Sequence, residues 1–159
     1  MLGVRQADMD LRIEIENAEL LTHLFGHWPD FHDAEVIALR LEATGRAGSS
    51  LEADFEIAEM SSGVDERGFY RDRQRVRATL RFGDIRRLRL EDFLHQNVLS
   101  SLELAAAGPD DYDEVFGACK EGRRKYRVGW GSAIGCAADF LCESVTVLSA
   151  SPVVTGIRG

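Results

Sequence analysis

Proline and cysteine are both scarce in this chain, at three residues each among 159. The cysteines, Cys119, Cys136 and Cys142, are odd in number and include no CxxC pair, which argues against a disulfide framework or a thiolate zinc site. They read as buried or half-buried free thiols in a reducing compartment. Long apolar runs are missing too. No window approaches the roughly 18–20 apolar residues of a membrane span, and the stretch Met1 to Asp8 lacks the apolar core of a secretory signal. A soluble, cytoplasmic protein is the expectation. Positive charge is short as well: 19 Lys and Arg against 27 Asp and Glu leave a net charge of −8. A nucleic-acid binder needs a basic footprint for phosphates, so that class is disfavoured. A basic protein partner is permitted. Enzyme signatures are also absent. Gly129-Trp130-Gly131 is not followed by the spacing of a dinucleotide loop, and no phosphate-loop lysine or nucleophile-elbow serine occurs. There is no internal repeat, heptad or low-complexity tract.

What the chain does have is alternation. Its length suits one domain, read as residues 1–152 with a fraying tail at 153–159. Leu11, Ile13 and Ile15 alternate with charged residues as in a half-buried strand. Asn17 is placed to cap a helix carrying Leu20, Leu21, Leu24 and Phe25, and Gly26 is placed to end it. A strand follows over Glu35 to Glu42, with Ile37, Leu39 and Leu41 on one face. Leu51 to Ile57 and Val76 to Phe82 alternate as well, the first with acidic and the second with basic partners on the wet face. Opposite charge makes adjacent pairing the natural inference, and the arginine row reads as a neutralised sheet face, with a partner site as the alternative. Gly83-Asp84 resembles a hairpin turn, but a two-residue turn there would set Leu88 and Leu90 against the wrong face, so a bulge or a bend into a second layer is required.

Further strands are expected around Val98, Leu102 and Leu104, around Tyr126, Val128 and Trp130, and from Cys136 to Cys142. Val145 and Val147 are out of phase with that last run, which places an irregularity at Glu143-Ser144. Tyr112, Val115, Phe116 and Cys119 fall at helical spacing in a polar insertion. The sum is an α+β fold: a mostly antiparallel sheet of six to eight strands with one or two short helices.

The densest chemistry lies in Phe25 to Glu35, where two histidines, two aspartates, a glutamate and three aromatics stand between helix and strand. A metal site from His27, His32 and Asp33 is one reading, since zinc takes such donors. Extended backbone sends His32 and Asp33 to opposite sides, which opposes it. General acid–base catalysis by His32 with Asp30, Asp33 or Glu35 is a second reading. A purely architectural corner, with Trp28 and Phe31 plugging the sheet's end, is a third. A recognition surface is the fourth, because aromatics among carboxylates anchor protein interfaces.

The run Trp28-Pro29-Asp30-Phe31-His32-Asp33-Ala34-Glu35-Val36, then Phe93 to Val98, then Phe140 to Val145, resembles the immunity protein 50 family of bacterial polymorphic toxin systems. These motifs lie in the expected order and span roughly residues 16 to 152. The resemblance implies an α+β protein that binds and blocks a cognate toxin domain, with no catalysis and no cofactor. It assigns no contact residues. From the chemistry alone, the candidate partner-binding residues are Trp28, Asp30, His32, Asp33 and Glu35. The net charge suits a toxin with a basic active site, such as a nuclease.

Overall fold

The computed structural model describes residues 14–43, 45, 48–59, 67, 74–107 and 126–154. Several expectations lie outside these residues: Leu11 and Ile13 of the first strand, the helix around Tyr112 to Cys119, and the end of the tail. Ile15 is buried, and Glu16 bridges to Thr146 of the last strand.

Helix α1 spans Glu19–Phe25. Gly26 ends it with φ +79°, and its N–H donates to the Thr22 carbonyl at 2.8 Å, so the left-handed stop expected there is present. Asn17 does not cap the helix with its side chain. It has a positive φ of 59°, and its amide donates to the Val147 carbonyl instead, tying the helix start to the sheet.

Eight strands are present among the described residues: β1 (Glu35–Ala43), β2 (Ser49–Glu59), β3 (Gln74–Gly83), β4 (Arg86–Glu91), β5 (Val98–Ala106), β6 (Tyr126–Ile134), β7 (Ala137–Cys142) and β8 (Ser144–Pro152). They form one antiparallel sheet in the order β4-β7-β6-β5-β1-β2-β3-β8. With one short helix among the described residues, the architecture is α+β. β2 and β3 pair as their charge predicts, with Glu56 opposite Arg77 and Glu52 opposite Arg81.

The sheet is not flat. Phe55 on β2 and Trp130 on β6 are three strand positions apart, which is about 14 Å in a flat sheet. Their ring centroids are 5.7 Å apart. Phe82 on β3 meets Phe140 on β7 at 5.0 Å across a still larger strand separation. The sheet therefore folds over, and the inner faces of β1-β2-β3-β8 and β5-β6-β7-β4 share one core. Edge-to-face contacts link Phe31, Phe55, Trp130, Phe140 and Phe82 through its centre, each pair adding to plain area burial. Cys136 and Cys142 are free thiols inside this core, and burial pushes the Cys142 thiol up to about 12.

The fold-over is made by one bent ribbon. β3 pairs with β8 as far as Gly83 opposite Ser144, and the ladder resumes beyond the bend with Arg86 opposite Leu141. Glu143 N–H donates to the Gly83 carbonyl at 2.8 Å in the crook. The two phase breaks expected at Gly83-Asp84 and Glu143-Ser144 are thus opposite sides of a single corner that carries both strands into the second layer. A Cβ on Gly83 would meet the Ser144 hydroxyl, which would have to rotate away to make room.

On the other flank the halves join at a narrow seam. β1 and β5 pair through Glu35 and Val98, extended by Val36 N–H to the Asn97 carbonyl and Leu99 N–H to the Ala34 carbonyl. Beyond that point the strands diverge. A bulge between Val36 and Ala38 corrects the simple alternation expected for β1: Val36 is buried and Ile37, the extra residue, is displaced outward.

Candidate functional site

The helix-to-strand corner is built downward from its aromatics. Gly26 and Pro29 turn the chain off α1, and Phe31 drops into the core, where it meets Phe55 at 5.5 Å. Trp28 lies against Phe31 at 5.8 Å and is half-buried. The plug predicted at the sheet's end is present, with Phe31 as its inserted ring.

With that ring fixed, the polar side chains between Asp30 and Asp33 face outward. His32 N–H donates to Asp30 Oδ1 at 2.8 Å, a local turn that aspartate favours. Asp33 adopts a positive φ of 65°, and its N–H donates to the Leu99 carbonyl at 2.9 Å. His32 Nδ1 lies 3.2 Å from Asp33 Oδ2, and both side chains are more than half exposed. Glu35 is half-buried at the seam, opposite Val98 and Glu56.

The organiser that sequence reading missed is Glu59, at the end of β2. Its carboxylate accepts the Asp30 N–H at 2.7 Å and holds His27 Nε2 at 2.8 Å. Glu59 is out of step with the wet row Glu52, Asp54 and Glu56, which was its one signal in the sequence. His27 thus turns to Glu59 while His32 turns to Asp33. The alternative set His27, His32 and Asp33 is not assembled, and among the described residues no three His, Cys, Asp or Glu side chains gather as a metal requires. His32 and Asp33, expected on opposite sides of an extended segment, instead meet on an open corner, because Asp33 is in the left-handed region and not extended.

Asn97, buried at the seam, is the second missed residue. Its Oδ1 accepts N–H groups of Leu94 at 2.9 Å and Cys136 at 3.0 Å, and its amide nitrogen donates to the Leu94 carbonyl at 2.9 Å and the Val36 carbonyl at 3.5 Å. One amide therefore pins the loop 92–97, the β6–β7 turn and the start of β1. Gly135 in that turn has φ +78°, and a Cβ on it would strike Asn97 Oδ1 and the Gln96 carbonyl.

Elsewhere, the main cluster of charge is paired within the sheet. On the outer face of β1, β2 and β3, Arg40 donates to both Asp54 oxygens at 2.8 and 2.9 Å and to Glu52 at 3.1 Å. Thr79 donates to Asp54 at 2.7 Å, and Arg77 and Arg75 pair with Glu56. The hydrogen bonds from Arg40 hold the Asp54 carboxyl below the ordinary carboxylate range. The neutralised sheet face read from the arginine row is what the ion pairs display. A shallow groove of about 380 Å³ lies over β5, β6 and β7, floored by Gly129 and Gly131 and flanked by Glu103, Arg127 and Asp139. None of its lining residues belongs to the corner. No helix among the described residues is long and apolar enough to cross a membrane.

A family model described as Immunity protein 50 matches residues 17–119, well over half of the chain, and its span includes the corner, Glu59 and Asn97. No curated protein matches the chain, and no solved structure does.

Proposed function

The chain belongs to the immunity protein 50 family, and from that premise we propose that it neutralises a cognate toxin domain by covering it, without chemistry of its own. The observation that carries this reading is the corner itself: a rigid plug of Phe31 and Trp28 that presents Asp30, His32 and Asp33 to solvent on bonded backbone. Trp28 and Glu35 contribute their accessible parts. Preorganised, outward-facing carboxylates lose little entropy on binding, which suits an inhibitor better than a mobile loop does. The net charge of −8 favours a toxin with a basic surface, a nuclease being the natural case, because opposite fields speed association and hold register. The setting is a bacterial polymorphic toxin system, and the unpaired thiols of Cys136 and Cys142 suit the reducing cytoplasm.

Co-expression with the toxin domain encoded beside this gene tests the reading. Survival and co-purification are the expected outcome, with affinity falling steeply between 50 and 500 mM salt, taken here as roughly a tenfold range around physiological screening. Toxicity unrelieved by the protein sinks the role. Affinity indifferent to salt sinks the basic-surface assignment alone.

A further inference from the structure

We infer that the toxin domain docks by adding one of its own strands to the open edge of β1 beyond the seam, with Phe93 and Leu94 as the flanking anchors. This rests on the immunity reading above and names the face on which it acts.

Sheet edges on this molecule are treated unequally. Unpaired N–H and C=O groups on an edge invite another strand, and stable proteins block them. The β4 edge carries Arg86, Arg87 and Arg89, all exposed. The β8 edge is bridged by Glu16, whose N–H donates to the Val145 carbonyl and whose carbonyl accepts from Val147, and it ends at Pro152. β1 has no such protection among the described residues. Past Val36, its side facing away from β2 has no backbone partner among the described residues. Leu41 on this stretch is 57% exposed.

On the segments that meet at that edge, four large apolar side chains are open to solvent. Phe93 and Leu94 are each 51% exposed, and Ile37 and Ile134 are also open. All four lie on the segments that Asn97 pins together: Ile37 follows Val36, Phe93 precedes Leu94, and Ile134 precedes Gly135. A fully bonded buried amide thus rigidifies an exposed hydrophobic patch, as hot-spot anchors require. Strand addition supplies main-chain hydrogen bonds for affinity and side-chain anchors for selectivity.

Charge decides the occupant. Segments 33–43 and 91–97 carry Asp33, Glu35, Glu42, Glu91 and Asp92, while Arg40, the one arginine or lysine there, is engaged by Asp54 and Glu52. A second copy of this acidic chain would bring the same carboxylates face to face, which is penalised. A partner strand with basic flanks is attracted.

The test is amide hydrogen exchange on the full-length protein, free and bound to the toxin domain encoded beside its gene. Slowed exchange in residues 38–43 and 92–95 of the complex is expected. Leu41→Lys and the double change Phe93→Ala/Leu94→Ala are expected to weaken the complex about 100-fold with the circular dichroism of the fold retained. Arg89→Ala on the blocked edge is expected to leave affinity within about twofold. A complex that forms but is protected only elsewhere, or that ignores both variants, overturns the docking face and leaves the immunity role standing. Protection of 38–43 in a concentration-dependent homodimer overturns it in favour of self-pairing. Absence of any complex overturns both readings.

Discussion

On the outer face of β1–β3, the carboxylates of Glu52, Asp54 and Glu56 meet guanidinium groups. At the helix-to-strand corner, Asp30 meets a backbone N–H and Asp33 meets only an exposed imidazole. Both regions look equally charged in the sequence. In the folded chain the first has spent its charge on itself, and the second keeps it available at a fixed place. The difference teaches that holding a carboxylate in place and neutralising it are separate matters, and that the corner does only the first.

The comparison breaks most visibly at Asn97. The seam hangs on its uncharged amide, so Asn97→Ala strands the buried N–H of Cys136 and the half-buried N–H of Leu94. A loss of about 3 kcal/mol or more in urea unfolding is expected, with toxin protection lost alongside. A smaller loss shows that water replaces the amide. Next in size, Asp30→Asn with Asp33→Asn keeps the geometry and removes the charge. Affinity for the toxin is expected to fall about tenfold while stability moves by less than about 0.5 kcal/mol. Arg77→Ala, on β3 opposite Glu56, should invert that pattern, costing at most about 1 kcal/mol of stability and leaving affinity unchanged in the same titration. Should the Arg77 change weaken binding more than the two aspartate changes, the roles assigned to the two regions are exchanged.

The smallest effect is one of pH. Because Arg40 depresses the Asp54 carboxyl, the stability from that pairing is fully present above the unfolded carboxylate value of about 3.9 and disappears as pH falls through the lower folded value. Partial exposure and screening reduce it to a few tenths of a kcal/mol. Unfolding curves of Asp54→Asn and the parent should therefore differ at pH 7 and converge in strong acid.

Much of this architecture could be read beforehand. Alternation located β2 and β3, opposite charge paired them, Gly26 stopped the helix, and the broken phase at Gly83 and at Glu143 announced the corner. The corner's plug followed from aromatics beside a proline. Asn97 escaped because its partners are mainly backbone groups, which have no letter in the sequence. Glu59 escaped because its partners, His27 and the Asp30 amide, come close only after β2 has crossed the sheet's end. The bulge at Ile37 was hidden because Val36 and Ile37 are equally suited to a core, and only the register against Phe55 chooses between them. Asn17 had the right residue type for a cap and was claimed by β8.

The bent ribbon has a consequence for how quickly protection becomes available. Val76 must find Pro152, and Gly83 must find Ser144, across a long stretch of intervening chain. Such distant pairings raise contact order and place folding in the slow range of about milliseconds to seconds. On the ribosome, β3 has only β2 beside it until residues 144–152 have emerged. The neutralisation proposed above would therefore begin only once the last strand has emerged and closed the ribbon.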